Sequence, residues 1–213
     1  MPEDRGSART PRSTVSAVLL AAGSSRRFAQ GSKLLADAGG RPLIAWAAAA
    51  LAASRVADLI AVTGPNAEAI REALRPWPVT FVHNPDHLAG MGTSVAAGIG
   101  AVASGASGAL VCPGDMPGVT SALVDKLIAA FEAAGSDRIV FPQTPDGRQG
   151  NPVLWPRHLF ADLIKLDGPT GGKAILEQHA DEAIAVPVLD TGAALDIDTV
   201  EDMERYKEKL REI

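Results

Sequence analysis

The chain of 213 residues has a single cysteine, Cys112, and only 4% aromatic residues. One cysteine excludes a disulfide framework within the chain, and the four histidines are too scattered for a zinc site with Cys/His spacing. These scarcities favour a reducing compartment, and we expect a cytoplasmic protein. Cys112 lies inside an apolar run, which is typical of a small core residue rather than a nucleophile.

The chain also has no excess of basic residues and no long apolar segment. The net charge is −5, so we expect neither nucleic acid nor an anionic membrane as a partner. No segment approaches the roughly eighteen apolar residues of a membrane helix, and the N-terminal MPEDRGSARTPRS lacks the apolar stretch of a signal peptide. We expect residues 1–12 to form a mobile tail and residues 13–213 to form a single domain.

Small and aliphatic residues are abundant, and their arrangement predicts an α/β fold. Short apolar runs at 15–20, 57–64, 79–84 and 108–115 alternate with helical segments at 41–53, 65–76, 93–102 and 121–134. This alternation predicts a Rossmann-like three-layer sandwich, a mostly parallel sheet with helices on both faces. Further strands are expected at 138–144, 151–155 and 182–189, and helices near 157–166, 172–179 and the C-terminus.

The regularity of this pattern falls after Gly135. We therefore interpret residues 13–134 as a nucleotide-binding half and residues 135–213 as the half that completes the site and meets a second substrate. In open α/β sheets ligands bind beyond the carboxyl ends of the strands, so the residues that follow each strand are the first candidates for a site.

The stretch LLAAGSSRRFAQGSK follows the first predicted strand. Its small residues Ala21, Ala22 and Gly23 leave room for a phosphate to approach main-chain N–H groups, and Arg27 and Lys33 bring positive charge to the same loop. A tight strand-to-helix turn with solvated basic residues explains the pattern equally well, so the physics alone leaves both interpretations open.

Two acidic stretches are candidates for a metal site. Asp115 in VCPGDMPG directly follows a buried strand and could hold Mg²⁺, although it could also simply support a Pro/Gly turn. In ALDIDTVEDM, Asp198 or Thr199 with an acid three residues later is typical of a helix N-cap, and we favour that structural role for Asp198. Asp196 is not needed for the cap and is a candidate second metal ligand beside Asp115.

Several other chemistries lack their signatures. DGPTGGKA is no Walker A motif, because Asp167 and Ala174 stand where glycine and Ser/Thr are required. GMGTSV has Val95 in place of the third glycine of a dinucleotide fingerprint, which argues against a hydride-transferring Rossmann enzyme. No histidine is placed with a serine or cysteine in a nucleophile motif, so acyl transfer has no support.

Five stretches in this order resemble one family. LLAAGSSRRF…K is similar to the LAAGxSxRxG…K signature of sugar- and cofactor-nucleotidyltransferases, whose fold is that of the nucleotide-diphospho-sugar transferases. NPDHLAGMGTSVAAGI, CPGDMP, GRQGNPVLW and LDIDTVED resemble successive motifs of the molybdenum cofactor cytidylyltransferase branch of the MobA-like NTP transferases. The resemblance runs from about Val15 to the last helix.

The resemblance implies roles for named residues. Nucleoside triphosphate would be bound by Leu20, Ala21, Ala22, Gly23, Arg27, Lys33, Thr63, Gly92 and Ser94, with the last two near the base. Arg27, Lys33 and Asp115 would be catalytic, Asp115 and Asp196 would bind metal, and Gly150, Asn151 and Lys173 would contact the acceptor.

The resemblance also implies a reaction. A terminal phosphate of molybdopterin or its molybdenum-loaded form would attack the α-phosphate of CTP and release pyrophosphate, with Mg²⁺ or Mn²⁺ as cofactor and a molybdoenzyme maturation chaperone as a further partner. The LAAG form favours cytosine over guanine. Ala29 replaces the usual glycine of the first motif, Asn151 replaces a common histidine, and GPTGGK lacks an acid, the last two where the family contacts its acceptor.

Three alternatives remain open at this point. The first is guanylyl transfer to the same cofactor. The second is cytidylyl transfer to methylerythritol phosphate, which the position of Lys33 in GSKLL rather than in Pro-Lys-Gln disfavours. The third is a nonenzymatic nucleotide-binding module, against which the presence of Arg27, Lys33 and Asp115 argues.

Overall fold

A computed structural model describes residues 13–23, 32–188 and 197–211. The strands are β1 Val15–Ala21, β2 Leu59–Thr63, β3 Thr80–His83, β4 Gly108–Pro113, β5 Val140–Gln143, β6 Val153–Pro156 and β7 Ile184–Pro187. The helices are α1 Leu43–Ala53, α2 Ala67–Leu74, α3 Met91–Gly100, α4 Ser121–Ala133, α5 Phe160–Leu163, α6 Lys173–Gln178 and α7 Val200–Arg211. Each predicted strand is therefore present in its expected place along the chain.

The described strands form one seven-stranded sheet in the order β3-β2-β1-β4-β6-β5-β7. β1 pairs in parallel with β2 and β4, β2 with β3, and β5 with β7. Within the described sheet β6 alone runs the other way, antiparallel to both β4 and β5. The expectation of a mostly parallel sheet is confirmed.

Two apolar layers cover the faces of the sheet. On β1, the side chains of Val15, Ala17, Leu19 and Ala21 belong to a core shared with α1, α2 and α4, because alternate residues of a strand point to opposite faces. Val18 belongs to the second core, which includes residues of α3, α5 and α6. The three-layer arrangement predicted from the sequence is therefore present.

Close approach of α3 to the sheet depends on Gly98. A Cβ atom at this position would lie 2.3 Å from Cγ1 of Val18, which real structures do not tolerate. The missing side chain lets α3 lie against β1 and brings the first turn of the helix to the carboxyl end of that strand.

A third, smaller cluster holds α7 on the outer side of α1. Met203 and Tyr206 are buried with Leu43, Ala38 and Ile197. The Tyr206 ring meets the ring of Trp46 edge-on at 5.8 Å between centroids. Among the described helices none has the length and apolar composition needed to cross a membrane.

Candidate active site

A cavity of about 520 Å³ opens at the carboxyl ends of β1 and β4. We call it the nucleotide cavity, after the role that the sequence resemblance implies for several of its residues. Its lining comes from the end of β1, the turn at Lys33, the segment after β3, the segment after β4 and Pro169. The lining residues are Leu20, Ala22, Gly23, Lys33, Leu34, His87, Leu88, Gly90, Met91, Ser94, Pro113, Gly114, Asp115 and Pro169.

An ammonium group between two carboxylates dominates one side of this cavity. Nζ of Lys33 donates to Oδ2 of Asp115 at 2.7 Å and to Oδ1 of Asp198 at 3.0 Å. The Lys33 side chain is only 13% exposed and that of Asp115 22% exposed, whereas Asp198 is 53% exposed. These contacts join residues that are far apart in the sequence, so the fold brings this charged cluster together.

The two carboxylates raise the pKa of Lys33 above its ordinary value of 10.5. Burial of the ammonium group acts in the opposite direction and is the largest single influence, but the charge of Asp115 and the hydrogen bonds to Asp115 and Asp198 together outweigh it. Lys33 is therefore a cation at every physiological pH.

The elements around the cluster fix its geometry. Leu34 is 5% exposed and anchors the short 3-10 turn Lys33–Leu35 in the core beneath the cavity. The Gly114 N–H donates to the Leu20 carbonyl at 3.0 Å, which ties the ends of β4 and β1 together next to Asp115. The Ile197 N–H donates to the Asp115 carbonyl at 3.1 Å and thereby places Asp198 beside Lys33.

The N-cap of α7 is Thr199 rather than Asp198. The Thr199 hydroxyl accepts from the Asp202 N–H at 3.1 Å, and Oδ2 of Asp202 accepts from the N–H groups of Asp198 and Thr199. The Thr199 hydroxyl also donates to Oδ2 of Asp202 at 2.7 Å, and this bond, followed by the one from the Thr199 N–H, lowers the pKa of Asp202 below its ordinary value. The capping role that we favoured for Asp198 is therefore wrong, because its carboxylate points to Lys33 instead.

The donor set fits a magnesium or manganese ion. Hard oxygen ligands from one or two carboxylates, completed by substrate phosphates and water, are the usual protein contribution to a Mg²⁺ site. Asp115 and Asp198 supply such oxygens and already share one cation, the Lys33 ammonium. Within the part of the chain that is described, no group of three or more His, Cys, Asp or Glu side chains could hold a metal ion alone. The substrate would therefore have to complete the coordination.

Two of the predicted site residues lie outside the described residues. These are Arg27 of the first motif and Asp196, the candidate second metal ligand. Of the residues that the resemblance assigns to nucleotide or metal, Leu20, Ala22, Gly23, Lys33, Ser94 and Asp115 line this cavity. Cys112 is fully buried in β4, and burial together with the charge of Asp115 raises the pKa of its thiol beyond the usual range, as expected of an inert core cysteine.

Ala21, Thr63 and Gly92 lie behind the cavity lining. Thr63 is fully buried, and its carbonyl accepts from the Asn84 N–H at 2.8 Å. Gly92 donates its N–H to the Gly168 carbonyl at 3.1 Å, and a Cβ atom there would lie 2.5 Å from the Asp167 carbonyl oxygen. These positions shape the cavity through the backbone.

The side of the cavity formed by α3 depends on Asn84, which the sequence did not single out. Asn84 is 2% exposed, and its Nδ2 donates to Oγ1 of Thr93 at 2.9 Å and to Oγ of Ser94 at 3.0 Å. Its position directly after β3 was the available signal, since polar side chains beyond strand ends are candidates in such sheets.

A second cavity of about 490 Å³ adjoins the first, and we call it the acceptor cavity, after the role that the sequence resemblance implies for Asn151 and Lys173. Leu20, Met91 and Pro113 line both cavities. Its remaining lining consists of Val95, Val111, Arg148, Gln149, Asn151, Val153, Trp155, Gly171, Gly172, Lys173 and Leu176. Of the residues that the resemblance assigns to the acceptor, Asn151 and Lys173 line this cavity and Gly150 is buried outside its lining. Arg148, Gln149 and Trp155 line it too, and the sequence did not single them out.

Comparison with known protein families identifies the family of this chain. The model of the MobA-like NTP transferase domain matches residues 17–183. The chain belongs to this family. It is therefore an enzyme of the nucleotidyltransferase kind, with the fold of that family.

Two curated proteins are similar to the chain over nearly the full length of both partners in each comparison. The molybdenum cofactor cytidylyltransferase of Escherichia coli K12 is 28% identical over 202 residues, which cover 94% of this chain and 100% of that protein. A protein of Paenarthrobacter nicotinovorans named nicotine blue oxidoreductase is 30% identical over 202 residues, which cover 90% of this chain and 95% of that protein. The chain is therefore similar to proteins with different named activities.

Solved structures agree with the fold. The Rv0371c homolog from Mycobacterium sp. strain JC1 superposes with a TM-score of 0.83 at 28% identity, covering 94% of this chain and 98% of the other. The Mycobacterium tuberculosis H37Rv Rv0371c complex with manganese gives 0.67 at 25% identity, covering 91% and 98%. A nucleotidyl transferase from Methanothermobacter gives 0.76 at 23% identity, covering 93% and 99%, and shares the fold.

Proposed function

We propose that the protein transfers CMP from CTP to the terminal phosphate of molybdopterin or its molybdenum-loaded form and releases pyrophosphate. The observation that carries this proposal is the wall of Leu20, Met91 and Pro113 that the nucleotide and acceptor cavities share. A phosphate that enters from the acceptor cavity can meet the triphosphate at this shared wall. Nucleotidyl transfer depends mainly on such positioning and on neutralising charge, so no enzyme nucleophile is required.

The residues of the nucleotide cavity have separate tasks in this reaction. The main chain of Ala21 to Gly23 offers N–H groups to the phosphates, and the Lys33 ammonium, with Arg27, compensates the charge that develops as pyrophosphate leaves. Asp115 and Asp198 would hold Mg²⁺ or Mn²⁺, with Asp196 as a further ligand. The ion would neutralise the triphosphate oxygens. The structure of Rv0371c in complex with manganese supports the use of a divalent ion.

The acceptor cavity suits a flat heterocycle that carries a phosphate. Trp155 contributes apolar surface to its wall, Gln149 and Asn151 offer amide groups, and Arg148 and Lys173 offer positive charge. Similarity to the cytidylyltransferase of Escherichia coli supports the molybdopterin-type acceptor. Delivery of the product to a maturation chaperone, and a cytoplasmic site for the reaction, are parts of the same proposal.

Pyrophosphate release tests the proposal. The purified protein is incubated with Mg²⁺, molybdenum cofactor and one of CTP, GTP, ATP or UTP, and we expect release with CTP to exceed the others by at least about tenfold, a difference that one or two hydrogen bonds to the base can supply. Equal rates with GTP would show guanylyl transfer. Pyrophosphate release with methylerythritol phosphate but not with molybdenum cofactor would identify methylerythritol phosphate as the acceptor. CTP binding without any pyrophosphate release would indicate a nonenzymatic binding module.

The relative named nicotine blue oxidoreductase motivates a second candidate activity, reduction of a flat heteroaromatic compound bound beside Trp155. Oxidation of NADPH or NADH in the presence of nicotine blue, followed by absorbance, measures it directly. We expect none, because the GMGTSV segment lacks the glycine pattern of a dinucleotide site. Oxidation of the nicotinamide without pyrophosphate release in the first assay would replace the transferase proposal.

A further inference from the structure

In the hydrogen-bond network behind the α3 side of the nucleotide cavity, the donor and the acceptor of each bond to Asn84 are determined. The Asp86 N–H donates to Oδ1 of Asn84 at 3.0 Å, which identifies the oxygen of that amide and leaves its NH₂ group toward α3. Its two hydrogens go to Thr93 at 2.9 Å and to Ser94 at 3.0 Å. Both hydroxyl oxygens are therefore acceptors from Asn84.

The two hydroxyl groups differ in what they do with their own hydrogen. Oγ1 of Thr93 lies 2.9 Å from the Gly90 carbonyl and 3.1 Å from the Asp86 carbonyl, so its hydrogen is committed to the main chain. None of the described residues accepts a hydrogen bond from Ser94, whose one side-chain contact is the bond that it receives from Asn84. Since an NH₂ group cannot accept, the hydrogen of Ser94 is directed away from Asn84.

Ser94 is 6% exposed and lines the nucleotide cavity. A hydroxyl hydrogen that is buried without an acceptor carries a desolvation cost that a ligand can remove. The free hydrogen of Ser94 therefore marks a place for an acceptor atom of the bound molecule.

The position of Ser94 indicates which part of a nucleotide it meets. Lys33, Asp115 and Asp198 gather at the β4 side of the cavity, and this side suits the phosphates. The lining from 87 to 94 lies beyond β3, on the other side of β1, and consists of His87, Leu88, Gly90, Met91 and Ser94. It carries no carboxylate, lysine or arginine, as suits a base rather than a phosphate.

We propose that Asn84 is a positioning residue that fixes Ser94 as a hydrogen-bond donor to the 2-oxo group of a pyrimidine base. This inference rests on the proposed function, because it assumes that CTP occupies the cavity. A fixed donor favours bases that present an acceptor and disfavours those that present an N–H group at the same place, since the latter would leave two donors facing each other.

Substituting Asn84 by aspartate reverses the network without removing it. A carboxylate at this position has only acceptors, so the hydroxyl hydrogens of Ser94 and Thr93 would turn toward it. Oγ of Ser94 would then present lone pairs to the cavity, opposite the 2-oxo oxygen. Asn84→Asp should therefore weaken CTP binding at least as much as Ser94→Ala, which only deletes the donor.

The experiment measures binding of CTP and of 2-thio-CTP by calorimetry, with Mg²⁺ and without acceptor. Sulfur accepts hydrogen bonds less well than oxygen, so the wild type should bind CTP about three- to tenfold more tightly than 2-thio-CTP, the range expected for one neutral hydrogen bond. In Ser94→Ala and Asn84→Asp this ratio should fall to about one. Thr93→Val is the matched control, because it removes the other partner of Asn84 and should keep the ratio.

The outcomes separate this inference from the proposed function. A wild type that binds no CTP overturns both. If the wild type binds CTP but Ser94→Ala keeps the same ratio of CTP to 2-thio-CTP affinity, only the Ser94 contact is overturned. If folded Asn84→Asp keeps this ratio, the positioning role of Asn84 is overturned. Thermal unfolding shows whether Asn84→Asp is folded, and Ser94→Ala tests the contact independently of that variant.

Discussion

At the scale of the residue, Lys33 has two tasks that compete. In the absence of a nucleotide its ammonium group neutralises Asp115 and Asp198, and during the proposed reaction it compensates phosphate charge. The two carboxylates keep it protonated and hold it at the cavity wall. An uncharged residue of similar length would leave both carboxylates without their counter-charge.

Lys33→Met should lower the rate of pyrophosphate release by at least about 100-fold, the usual cost of removing one group that stabilises transition-state charge. Asp115→Asn should lower the rate of pyrophosphate release by a similar factor. Circular dichroism should show that both variant proteins remain folded. Lys126→Met is the control, because Nζ of Lys126 donates to the Pro187 carbonyl on an exposed surface. A Lys33→Met protein within a few-fold of wild type would refute the catalytic role.

The raised pKa of Lys33 also predicts a pH dependence of stability. Because the folded protein binds the Lys33 proton more tightly than the unfolded chain, the contribution of Lys33 to the free energy of unfolding is complete below the unfolded value of 10.5 and is lost as pH rises through the folded value. Urea unfolding at about pH 9 and about pH 11 measures this loss. The decrease in the free energy of unfolding should be larger for the wild type than for Lys33→Met. Equal decreases would contradict the stabilisation of protonated Lys33 by its two carboxylate partners.

The resemblance to a family singled out Lys33, Asp115 and Ser94, whereas the residue patterns alone left Lys33 and Asp115 open between a site and a turn. Asn84 has no charge and no distinctive spacing, so only the folded network reveals its role. Asp198 was misinterpreted because the sequence Asp-Thr with an acid beyond offers two candidate caps, and local patterning cannot choose between them.

At the scale of the element, α7 holds Asp198 beside Lys33 by its packing. Tyr206 is 7% exposed, its ring meets Trp46, and its hydroxyl donates to the Pro117 carbonyl at 3.4 Å. Burial raises the pKa of Tyr206 to about 12, so the hydroxyl stays protonated. The docking of this helix therefore depends on one aromatic ring.

Tyr206→Ala should lower the free energy of unfolding by about 3 kcal/mol, as expected for deletion of a buried aromatic ring. Tyr206→Phe is the matched variant, because it keeps the ring contact and loses only a long hydrogen bond, with a cost of at most about 1 kcal/mol. Chemical denaturation followed by tryptophan fluorescence measures both. A loss for Tyr206→Phe as large as that for Tyr206→Ala would show that the hydroxyl, not the ring, holds α7.

Most elements were predictable from periodicity, and the exceptions have tertiary causes. α3 begins at Met91 rather than at Thr93, because Gly90 has a φ of 134° and lies against the backbone of Gly168. The segment expected as one helix near 157–166 is a 3-10 turn followed by the short α5. The reversed direction of β6 could not be predicted, because an apolar run reads the same in either direction.

At the scale of the whole molecule, the expected division into a nucleotide half and an acceptor half stays a prediction, but it has a measurable consequence. Arg148 and Lys173 lie in the second half, with side chains 62% and 74% exposed. Arg148→Ala and Lys173→Ala should each raise the KM for the acceptor about tenfold, the scale of one charged hydrogen bond, and leave the KM for CTP unchanged.

Arg75→Ala is the control for this pair, since Arg75 is an exposed residue paired with Glu72 on α2. Steady-state pyrophosphate release with each substrate varied in turn gives both constants. An increase in the KM for CTP of the same size as that for the acceptor would contradict the division.

The reversal of β6 gives the fold a replaceable part. Because β5 runs with β4 and β6 returns against it, the turn between them, which carries Arg148, Gln149 and Asn151, emerges at the same edge as the ends of β1 and β4. This turn can change in length and composition without altering the ends of β1 and β4, which line the nucleotide cavity. A lineage, or an engineer, could therefore give the same catalytic centre a new second substrate by rewriting one hairpin.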